Sequence, residues 1–551
     1  MEFNLGAVNE AVVAAVPDRE AIVWRDRRLT YRQLGDRTRR LANYLLGQGF
    51  EVSAERADLA SHQSGQDHLA LYLHNGNEYL EGMIGAYKAR VAPFNVNYRY
   101  VAEELHYLLD DSRAKGIVFH SAFAPTLREV LDKLPNLTTL LQVRDESGHD
   151  LLDGAIWYED ALEQSPATAP AVALSPDDLY ILYTGGTTGM PKGVLWRQAD
   201  IFPAALGGRD LSTGNEWTSF EAIVESALNG GSHLLPAPPF MHGAAHWIAL
   251  NALGGGSTVV LPNLTDRLDP VDVWSTVERE GVNIALIVGD AFGRPLVDEL
   301  REHDYELGSL ILLVSGGAAL SATVKREFLE LLPGMSIMDG LGASETGSQA
   351  AQITGAGAGA TTSTGTFTPG PGMCILDETV TALVEVGDEQ SGWLAQRGRV
   401  PLGYLGDEAK TSRTFPVIDG VRFAVPGDRA RYTSGGLLDL QGRDSATINS
   451  GGEKIFAEEV EAAIGRHPAV YDVVVAGRPS ERWGNEVVAI VRLRDQQLVT
   501  SAELLAECGQ HIARYKLPKE IKFVDHIERS PSGKADYRWA RQQAIGVPET
   551  D

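Results

Sequence analysis

The sequence predicts an α/β protein with two unequal parts. These are a large N-terminal domain of several subdomains, with layered sheets and helices, and a small C-terminal α+β domain. Short apolar runs alternate with helical stretches over the first 180 residues, which favours layered sheets covered by helices. The length of 551 residues suits several domains of ~150 residues. Charge is uneven along the chain, because residues 445–551 carry a net charge of only −2 out of −26.

Capping and turn residues predict the first elements. Thr30 and Gln33 form a T-x-x-Q capping box, which is typical of a helix start. The apolar run 69–73 predicts a strand, and the Asn-Gly pair at 75–76 predicts the turn into a helix that continues to about Arg90. Further apolar runs predict strands at 116–119, 138–143 and 179–183.

The second half shows a similar alternation after an irregular stretch. Residues 350–372 are rich in Gly, Ala, Thr and Pro and predict an irregular surface loop. The C-terminal part predicts a helix over 457–464 ending at Gly465, strands near 470–476 and 486–494, and a helix capped by Thr500 and Glu503.

Composition excludes several classes of function. A net charge of −26 repels nucleic-acid phosphates and anionic lipid, so we expect no nucleic-acid partner. The two cysteines, Cys374 and Cys508, have no metal-like spacing, which excludes a disulfide framework and fits a reducing compartment. The N-terminus lacks a cationic leader, and no apolar run reaches the ~18–20 residues of a transmembrane segment. We therefore expect a cytoplasmic protein.

A glycine- and threonine-rich segment, residues 183–193, reads Y-T-G-G-T-T-G-M-P-K-G directly after the strand-like run 179–183. Exposed N–H groups, hydroxyls and a lysine together suit a polyphosphate. It is not a Walker loop, because Lys192 is followed by Gly193 instead of Ser or Thr. The segment resembles the signature loop of the adenylate-forming (ANL) superfamily. The resemblance implies nucleotide contacts from Thr184, Gly185, Gly186, Thr187, Thr188, Gly189 and Lys192.

Further motifs follow in the order of that superfamily, over nearly the whole chain. Residues 239–243, P-F-M-H-G, resemble the segment whose histidine borders the acyl pocket, which gives that role to His242. His242 and His246 are also four residues apart, a spacing that could suit a metal. Residue 243 is glycine where H-E-x-x-H has glutamate, and no third ligand is evident, so pocket lining is favoured.

Two glycine-rich segments resemble the adenine and phosphate contacts of the family. Residues 315–320 are similar to the stretch beside adenine, implying contacts from Gly316, Gly317 and Ala318. Residues 339–345 resemble the motif whose hydroxyl meets phosphate and whose glutamate holds Mg²⁺, which implies roles for Asp339, Gly340, Leu341, Gly342, Ser344 and Glu345. Two residues depart from the family: Leu341 replaces an adenine-stacking aromatic residue, and Ser344 replaces threonine.

The remaining motifs lie at the domain junction and beyond it. Asp428 matches the carboxylate that binds the ribose hydroxyls, although Pro426 departs from the family. Gly442-Arg443 resembles the start of the hinge, with Ser445 at the usual hinge Asp or Lys. The pantetheine-tunnel loop corresponds to residues 449–454, with Gly451, Gly452 and Lys454. Residues 530–534, S-P-S-G-K, match the closing element, which makes Lys534 the adenylation lysine.

The resemblance implies the ANL fold, with an AMP- and acyl-binding domain over 1–442 and a small mobile domain over 443–551. It implies an AMP-forming acyl-CoA ligase that uses ATP, CoA and Mg²⁺, with catalytic roles for Thr184, His242, Glu345 and Lys534. Sequences after the loop and after Lys534 resemble bacterial fatty-acyl and sterol-acyl ligases, which implies a hydrophobic carboxylic acid as substrate. Many relatives are dimers, so a homodimer is possible.

Two alternatives stay open at this point. The departures at Leu341, Pro426 and Ser445 could weaken adenylation and leave an enzyme that mainly converts supplied acyl-AMP to thioester. A non-catalytic pseudo-ligase that only binds nucleotide or lipid is the other alternative. The presence of Lys192, Glu345, Asp428 and Lys534 argues against a pseudo-ligase.

Overall fold

The protein is described here by a computed structural model. It describes residues 1–186, 189–210, 212–355, 366–443, 447–450, 453–480, 484–529 and 533–546, with the backbone only at 185, 186, 189, 443, 449, 453, 454 and 484. The helices are α1 (Leu5–Ala15), α2 (Tyr31–Gly47), α3 (Asn77–Lys88), α4 (Ala102–Asp111), α5 (Ala124–Arg128), α6 (Tyr158–Glu163), α7 (Gln198–Ala205), α8 (Phe220–Asn229), α9 (Gly243–Gly254), α10 (Pro270–Glu280), α11 (Gly289–Glu302), α12 (Ala322–Leu331), α13 (Glu408–Thr414), α14 (Ala457–Ile464), α15 (Ser501–Cys508) and α16 (Tyr537–Ile545).

The strands of the first half are β1 (Glu20–Trp24), β2 (Arg27–Thr30), β3 (His68–Tyr72), β4 (Ala92–Asn95), β5 (Gly116–His120), β6 (Thr139–Val143), β7 (Ala155–Trp157), β8 (Leu179–Gly186), β9 (Gly189–Arg197), β10 (His233–Pro236), β11 (Thr258–Leu261) and β12 (Ile284–Ile287). Those of the second half are β13 (Leu312–Gly316), β14 (Ser336–Ala343), β15 (Gly347–Gly355), β16 (Thr366–Phe367), β17 (Met373–Leu376), β18 (Gly392–Arg397), β19 (Gly403–Tyr404), β20 (Val417–Ile418), β21 (Val421–Ala424), β22 (Asp428–Tyr432), β23 (Leu438–Arg443), β24 (Thr447–Ser450), β25 (Glu453–Phe456), β26 (Val470–Ser480), β27 (Gly484–Leu493) and β28 (Glu520–Phe523).

The large N-terminal part contains two extended sheets with mainly parallel pairing. Within the described residues, one has the order β15-β14-β13-β12-β10-β11-β1-β2, with antiparallel pairs at its two edges. The other has the order β4-β3-β5-β6-β7 and is parallel throughout. A third, antiparallel sheet is built from β16, β17, β18 and β20 to β23, and β19-β9-β8 form a small separate sheet.

The main core lies between the two large sheets. Leu71 of β3 and Val259 of β11 belong to the same buried cluster, together with residues of α2, α3 and α9. On the other face of β3, Ala70 packs with Ile117 in a second cluster. Burial on both faces explains why these parallel strands are continuous apolar runs in the sequence.

The predicted caps and strands are confirmed. Thr30 caps α2 and Thr500 caps α15, each with a complete capping box, because side-chain oxygens accept the N–H groups that a helix start leaves unpaired. The strands predicted at 69–73, 116–119, 138–143 and 179–183 correspond to β3, β5, β6 and β8.

The surface loop predicted over 350–372 is wrong at its start. Residues 347–355 form β15, which pairs antiparallel with β14 along the edge of the large sheet. Residues 366–367 form β16, and residues 356–365 lie outside the described part of the chain. Alanine, glycine and threonine give β15 little apolar contrast, so its alternation was not visible in the sequence.

The C-terminal part has its own sheet and core. Strands β25-β24-β27-β26 are joined by β28 beside β27, and α14 and α15 pack on one face while α16 packs on the other. The predicted boundary at 442/443 falls at the end of β23, where Arg443 still pairs with Asp428 of the large part. Among the described residues, no helix is long and apolar enough to cross a membrane.

Candidate active site

The glycine- and threonine-rich segment forms the end of the β8–β9 hairpin. Thr184 pairs with Lys192 in the antiparallel register, and Gly186 pairs with Gly189. Thr187 and Thr188, two of the predicted phosphate contacts, lie outside the described residues. Lys192 Nζ lies 2.9 Å from Asp407 Oδ2, and this hydrogen bond raises the pKa of the lysine. Both side chains are more than a quarter exposed, so solvent screens the pair and a phosphate can replace Asp407.

Glu345 lies beside this hairpin because two aromatic side chains join the two segments. Trp196 of β9 donates its indole N–H to the Ser344 carbonyl at 2.8 Å. Tyr404 of β19, which pairs with β9, donates its hydroxyl to Glu345 Oε1 at 2.7 Å. The carboxylate is therefore held beside the middle of the β8–β9 hairpin.

This arrangement fits a magnesium ion bound jointly by the protein and a nucleotide. Among the described residues, no group of three or more His, Cys, Asp and Glu side chains could hold a metal by itself. A single carboxylate is a protein donor that Mg²⁺ uses when substrate phosphates and water complete its shell. Glu345, oriented by Tyr404, is the residue that would hold it.

The turn that carries His242 is fixed by two buried asparagines. Asn95, at the end of β4, donates to the carbonyls of Tyr183 and Met241 at 2.8 and 2.6 Å and accepts from the Tyr183 N–H at 2.8 Å. Asn75 donates to the Pro238 carbonyl and accepts from the Phe240 N–H. The hairpin and the turn before α9 are thus tied to the same strand ends.

His242 and His246 have different environments. Both ring nitrogens of His246 are used inside the protein, because Nδ1 contacts the Phe240 carbonyl at 2.7 Å and Nε2 contacts the Tyr180 hydroxyl. His242 Nε2 is buried and has no hydrogen-bond partner among the described residues. Burial and then the charge of Lys534 lower the pKa of His242 to about 3. His242 is therefore a neutral polar group available to a ligand, whereas His246 is structural.

The predicted adenine segments are neighbours in the large sheet. Gly316, at the end of β13, pairs with Gly340 of β14, and Gly317 follows with φ of 88°, in the left-handed region that favours glycine. A bulge separates Leu341 from Gly342. The Leu341 side chain packs on the cluster that contains Ala350, Phe367 and Met373. Without side chains at the paired glycines, a flat ring can approach the backbone.

Two predicted contacts have partners within the protein. Asp339 is buried and its Oδ2 lies 2.5 Å from Lys325 Nζ of α12, so this carboxylate serves a buried ion pair. Burial raises the pKa of Asp339, and the lysine opposes that effect. Asp428 opens β22 and is partly exposed, and its strand partner is Arg443, whose side chain lies outside the described atoms.

Lys534 reaches the site from the C-terminal part. Gly533 has φ of 72°, and a Cβ there would lie 3.0 Å from the Ala291 Cβ and 3.3 Å from the Val288 carbonyl oxygen. Val288 is also the nearest side chain to the position that a Cβ on Gly317 would take. The exposed Lys534 follows immediately, close enough to affect His242 electrostatically. Gly451 and Gly452 lie outside the described residues, and of Lys454 only the backbone is described.

Several residues that build the site were missed in the sequence. Asn95 and Tyr404 end short strands, and Asn75 was interpreted only as part of a turn. For Asn95 the usable signal was position, because polar residues at the carboxyl ends of parallel strands face the ligand-binding edge of a sheet. Their actual partners, however, lie up to 165 residues away.

The chain is similar to several known proteins. Residues 9–405 match the AMP-binding enzyme family and residues 459–534 match the AMP-binding enzyme C-terminal domain. The medium-chain acyl-CoA ligase Mig of Mycobacterium avium is 56% identical over 98% of both chains. A 3-oxocholest-4-en-26-oate–CoA ligase of Rhodococcus rhodochrous is 40% identical over 98% of this chain and 96% of its own. The crystal structure of ATP-bound MatB from Rhodopseudomonas palustris has a similar fold, with a TM-score of 0.81 at 22% identity, covering 99% of this chain and 100% of that chain.

The chain belongs to the AMP-binding enzyme family, the adenylate-forming superfamily that its motifs resemble. The predicted fold, with a large α/β part and a small C-terminal domain, is confirmed. More particularly, the protein is an AMP-forming acyl-CoA synthetase that uses ATP and CoA.

Proposed function

We propose that the acid activated by this synthetase is hydrophobic, of the fatty, sterol or terpenoid type. The observation that carries this proposal is helix α9, which begins next to His242 and is apolar around most of its circumference. Ala244, Trp247 and Ile248 on α9 are only partly buried, so the helix offers apolar surface beside the site. The names of the two relatives, a medium-chain acyl-CoA ligase and a sterol-acid CoA ligase, support the same class.

The first half-reaction joins the acid to AMP. A carboxylate oxygen of the acid attacks the α-phosphorus of ATP, the new O–P bond forms, and the bond to pyrophosphate breaks. Negative charge on the α-phosphoryl oxygens is opposed by Lys534 and by donors of the β8–β9 hairpin, with Thr184 among them. Neutral His242 borders the acyl group without adding charge.

The second half-reaction transfers the acyl group to CoA. The thiol sulfur attacks the acyl carbon, the bond to AMP breaks, and the thiol proton passes to solvent. The family resemblance assigns Gly451, Gly452 and Lys454 to the pantetheine path and predicts that Lys534 leaves the site at this stage. The hinge at 443 and the domain division at 442/443 belong to this proposal.

Magnesium is part of the proposal, with Glu345 as its protein ligand. When bound, the ion supplies positive charge beside the ATP phosphates. The hydrogen bond from Tyr404 supports this role, because it holds one oxygen of the Glu345 carboxylate and so fixes the orientation of the carboxylate. Asp428 is proposed to bind the ribose hydroxyls.

A panel of acids tests the substrate class directly. Medium-chain, long-chain, aryl, sterol and terpenoid acids are each incubated with ATP, Mg²⁺ and CoA, and thioesters are measured by mass spectrometry. A parallel set receives each preformed acyl-AMP with CoA. We expect thioester from free medium-chain, long-chain, sterol or terpenoid acids. Turnover confined to aryl acids contradicts the proposed class.

The parallel set also separates the alternative functions. Thioester from acyl-AMP alone favours the enzyme biased toward the second half-reaction. That is the alternative raised by the departures at Leu341, Pro426 and Ser445. The contact of Gly533 with Val288 and Ala291 supports the complete ligase, since it brings Lys534 to the nucleotide side. No turnover in either set favours a pseudo-ligase.

Two further expectations stand as proposals. A cytoplasmic location is supported by Cys374 and Cys508, which are buried and unpaired, as expected in a reducing compartment. A homodimer is proposed from the family resemblance alone, and light scattering with chromatography measures it.

A further inference from the structure

The segment around Lys534 is held by a guanidinium that no motif assignment includes. Arg529 donates from Nε to Asp472 Oδ2 at 2.9 Å and from Nη2 to Asp472 Oδ1 at 2.6 Å. Its remaining nitrogen, Nη1, donates to the Gly533 carbonyl at 3.1 Å. One planar group therefore joins strand β26 to the residue directly before the lysine.

The backbone is also paired on the two sides of the lysine. Arg529 and Ala535 form an isolated antiparallel bridge, so the chain before and after Lys534 is paired. Asp472, the carboxylate partner, lies at an irregularity of β26, where the register with β27 shifts between Val470 and Asp472. Asp472 therefore accepts both hydrogen bonds from Arg529 at the irregular end of β26.

The anchored segment contacts the first turn of α11, in the large part of the protein. Gly533 fits against Val288 and Ala291 so closely that a Cβ would approach Ala291 to 3.0 Å. The charge of Arg529 is stabilised mainly by Asp472, with smaller contributions from Glu461 and from the Asp290 carboxylate of this turn. Tyr471, next to Asp472, lies with its ring 5.6 Å from the Arg294 guanidinium. Arg529 thus lies between its own domain and α11.

We propose that Arg529 is a positioning residue for adenylation: with Asp472 it holds Gly533 against α11 and so sets the position of Lys534. The inference rests on the proposed role of Lys534. Arg529 acts only through the lysine segment, so it contributes to acyl-AMP formation and not to thioester formation from supplied acyl-AMP.

The test measures the two half-reactions separately in the full-length enzyme. Adenylation is measured as ATP–pyrophosphate exchange with the best acid of the panel, without CoA. Thioester formation is measured from the corresponding acyl-AMP and CoA. We expect Arg529→Gln to lower kcat for adenylation by about 10- to 100-fold, with KM for ATP and acid nearly unchanged, because misplacing a catalytic group by 1 Å has this cost. Thioester formation should change less than about two-fold, since it does not use the lysine.

Arg478 provides a matched control within the same domain. It also binds a carboxylate with two nitrogens, at 3.0 and 2.5 Å from Glu486 Oε1, and a backbone carbonyl, that of Ala544. It lies on β26 like Asp472, but its hydrogen bonds and ion pairs within the described residues reach neither α11 nor the lysine segment. Arg478→Gln therefore reports what losing such an arginine does to the fold alone, and both half-reactions should respond to it equally.

Two more variants examine the pair itself. Arg529→Lys keeps the charge but lacks the planar fork that reaches both Asp472 and the Gly533 carbonyl, so adenylation should be intermediate. Asp472→Asn should lower adenylation less than Arg529→Gln. The double variant should lose less adenylation activity than the product of the two single fold-losses, because both changes break the same ion pair.

The outcomes separate this inference from the assignment of the lysine. Lys534→Ala with adenylation intact contradicts the proposed role of Lys534. Adenylation that is lost in Lys534→Ala but kept in Arg529→Gln overturns only the positioning role. Equal loss of both half-reactions in Arg529→Gln, as in the Arg478→Gln control, also overturns it, because a merely structural residue gives that result.

Discussion

The two sides of the active site are held by different kinds of interaction. On the large side, Asn75 and Asn95 fix the His242 turn through buried hydrogen bonds to backbone groups. On the small side, Lys534 is placed by Arg529 and by a close contact of Gly533 with α11. Breaking the buried amide hydrogen bonds would leave costly unpaired groups. The small side meets the large side through the close contact of Gly533 and through the partly exposed Arg494, whose charge returns to water when the contact breaks. The large side should therefore resist disruption more than the small side, as the proposed departure of Lys534 between half-reactions requires.

The interface around α11 fits that interpretation. Arg494 of the small domain lies 3.8 Å from Asp298 and 3.5 Å from Glu327, and Arg301 also contacts Glu327 at 3.2 Å. These distances are longer than those of the anchoring pair, and the charges are partly solvated. Such contacts orient a domain with little energy of their own.

The largest effect is expected at Glu345, on the fixed side. Glu345→Gln removes the charge that would hold magnesium beside the phosphates, so adenylation should fall by about 100- to 1000-fold, as for loss of one preorganised charged group. The measurement is ATP–pyrophosphate exchange over a magnesium titration. Thioester formation from acyl-AMP should keep most of its rate, and a variant impaired in both half-reactions to the same degree contradicts the assignment.

The buried hydrogen bonds of Asn75 and Asn95, called here the asparagine clamps, should contribute to the stability of the protein. Asn95→Ala leaves the Tyr183 N–H and the Tyr183 and Met241 carbonyls without their side-chain partner, at a cost of about 2–4 kcal/mol in the free energy of unfolding. Chemical denaturation measures it. Asn43 is the control, because it also donates to two carbonyls, those of Pro166 and Thr168, but at the surface. A similar loss in Asn43→Ala would contradict burial as the cause.

The clamps show what the sequence could and could not predict. Capping boxes and apolar runs act over a few residues, so α2, α15 and the buried strands were predictable. Thr184 and Lys192 lie on β8 and β9, which extend the strand predicted at 179–183, and their predicted contacts with phosphate stay a prediction. The bond from Asn95 to Met241 spans 146 residues and exists only because β4 ends next to the hairpin. Such contacts depend on how layers pack, which local patterns do not encode.

A smaller effect is expected from the group that orients Glu345. Tyr404→Phe removes one hydrogen bond to the carboxylate and leaves the ring in place on Phe415, so adenylation should fall by about 10-fold, in the range for loss of an outer-shell partner. The apparent affinity for magnesium should weaken in parallel. Adenylation at saturating magnesium should recover, and failure to recover means that Tyr404 acts through the fold instead.

The small domain contains a buried acid whose titration can be measured. Burial, then the nearby Glu458, raise the pKa of Glu461, whose Oε1 accepts the Val475 N–H at 2.8 Å. Since the folded protein favours the neutral form, this group stabilises the fold below the ordinary carboxyl pKa, and that stability is lost as pH rises through the raised value. Glu461→Gln mimics the neutral acid. Its Tm relative to the parent should therefore increase from pH 5 to pH 8.5.

Glu503 gives the opposite sign and serves as the control for that measurement. It is exposed, and its hydrogen bond from the Thr500 N–H lowers its pKa. The contribution of a lowered carboxyl pKa is present above the ordinary value and lost in acid. The Tm of Glu503→Gln should therefore be slightly below that of the parent at neutral pH and equal to it at low pH. A common trend in both variants would show that net charge, not the local environment of Glu461, controls the response.

The smallest effect on stability is expected at the interface between the small domain and the large part. Arg494→Gln removes the long contacts with Asp298 and Glu327 but leaves Arg529 and Gly533 in place, so stability should change by less than about 1 kcal/mol. Adenylation in the parent should decline a few-fold as salt rises from about 0.02 to 0.5 M, because screening weakens the ionic contacts that favour the docked domain. The variant should start lower and respond less to salt. If salt leaves adenylation unchanged and Arg494→Gln destabilises the fold, the interface is as stable as the buried asparagine hydrogen bonds. That result contradicts the proposed difference between the two sides.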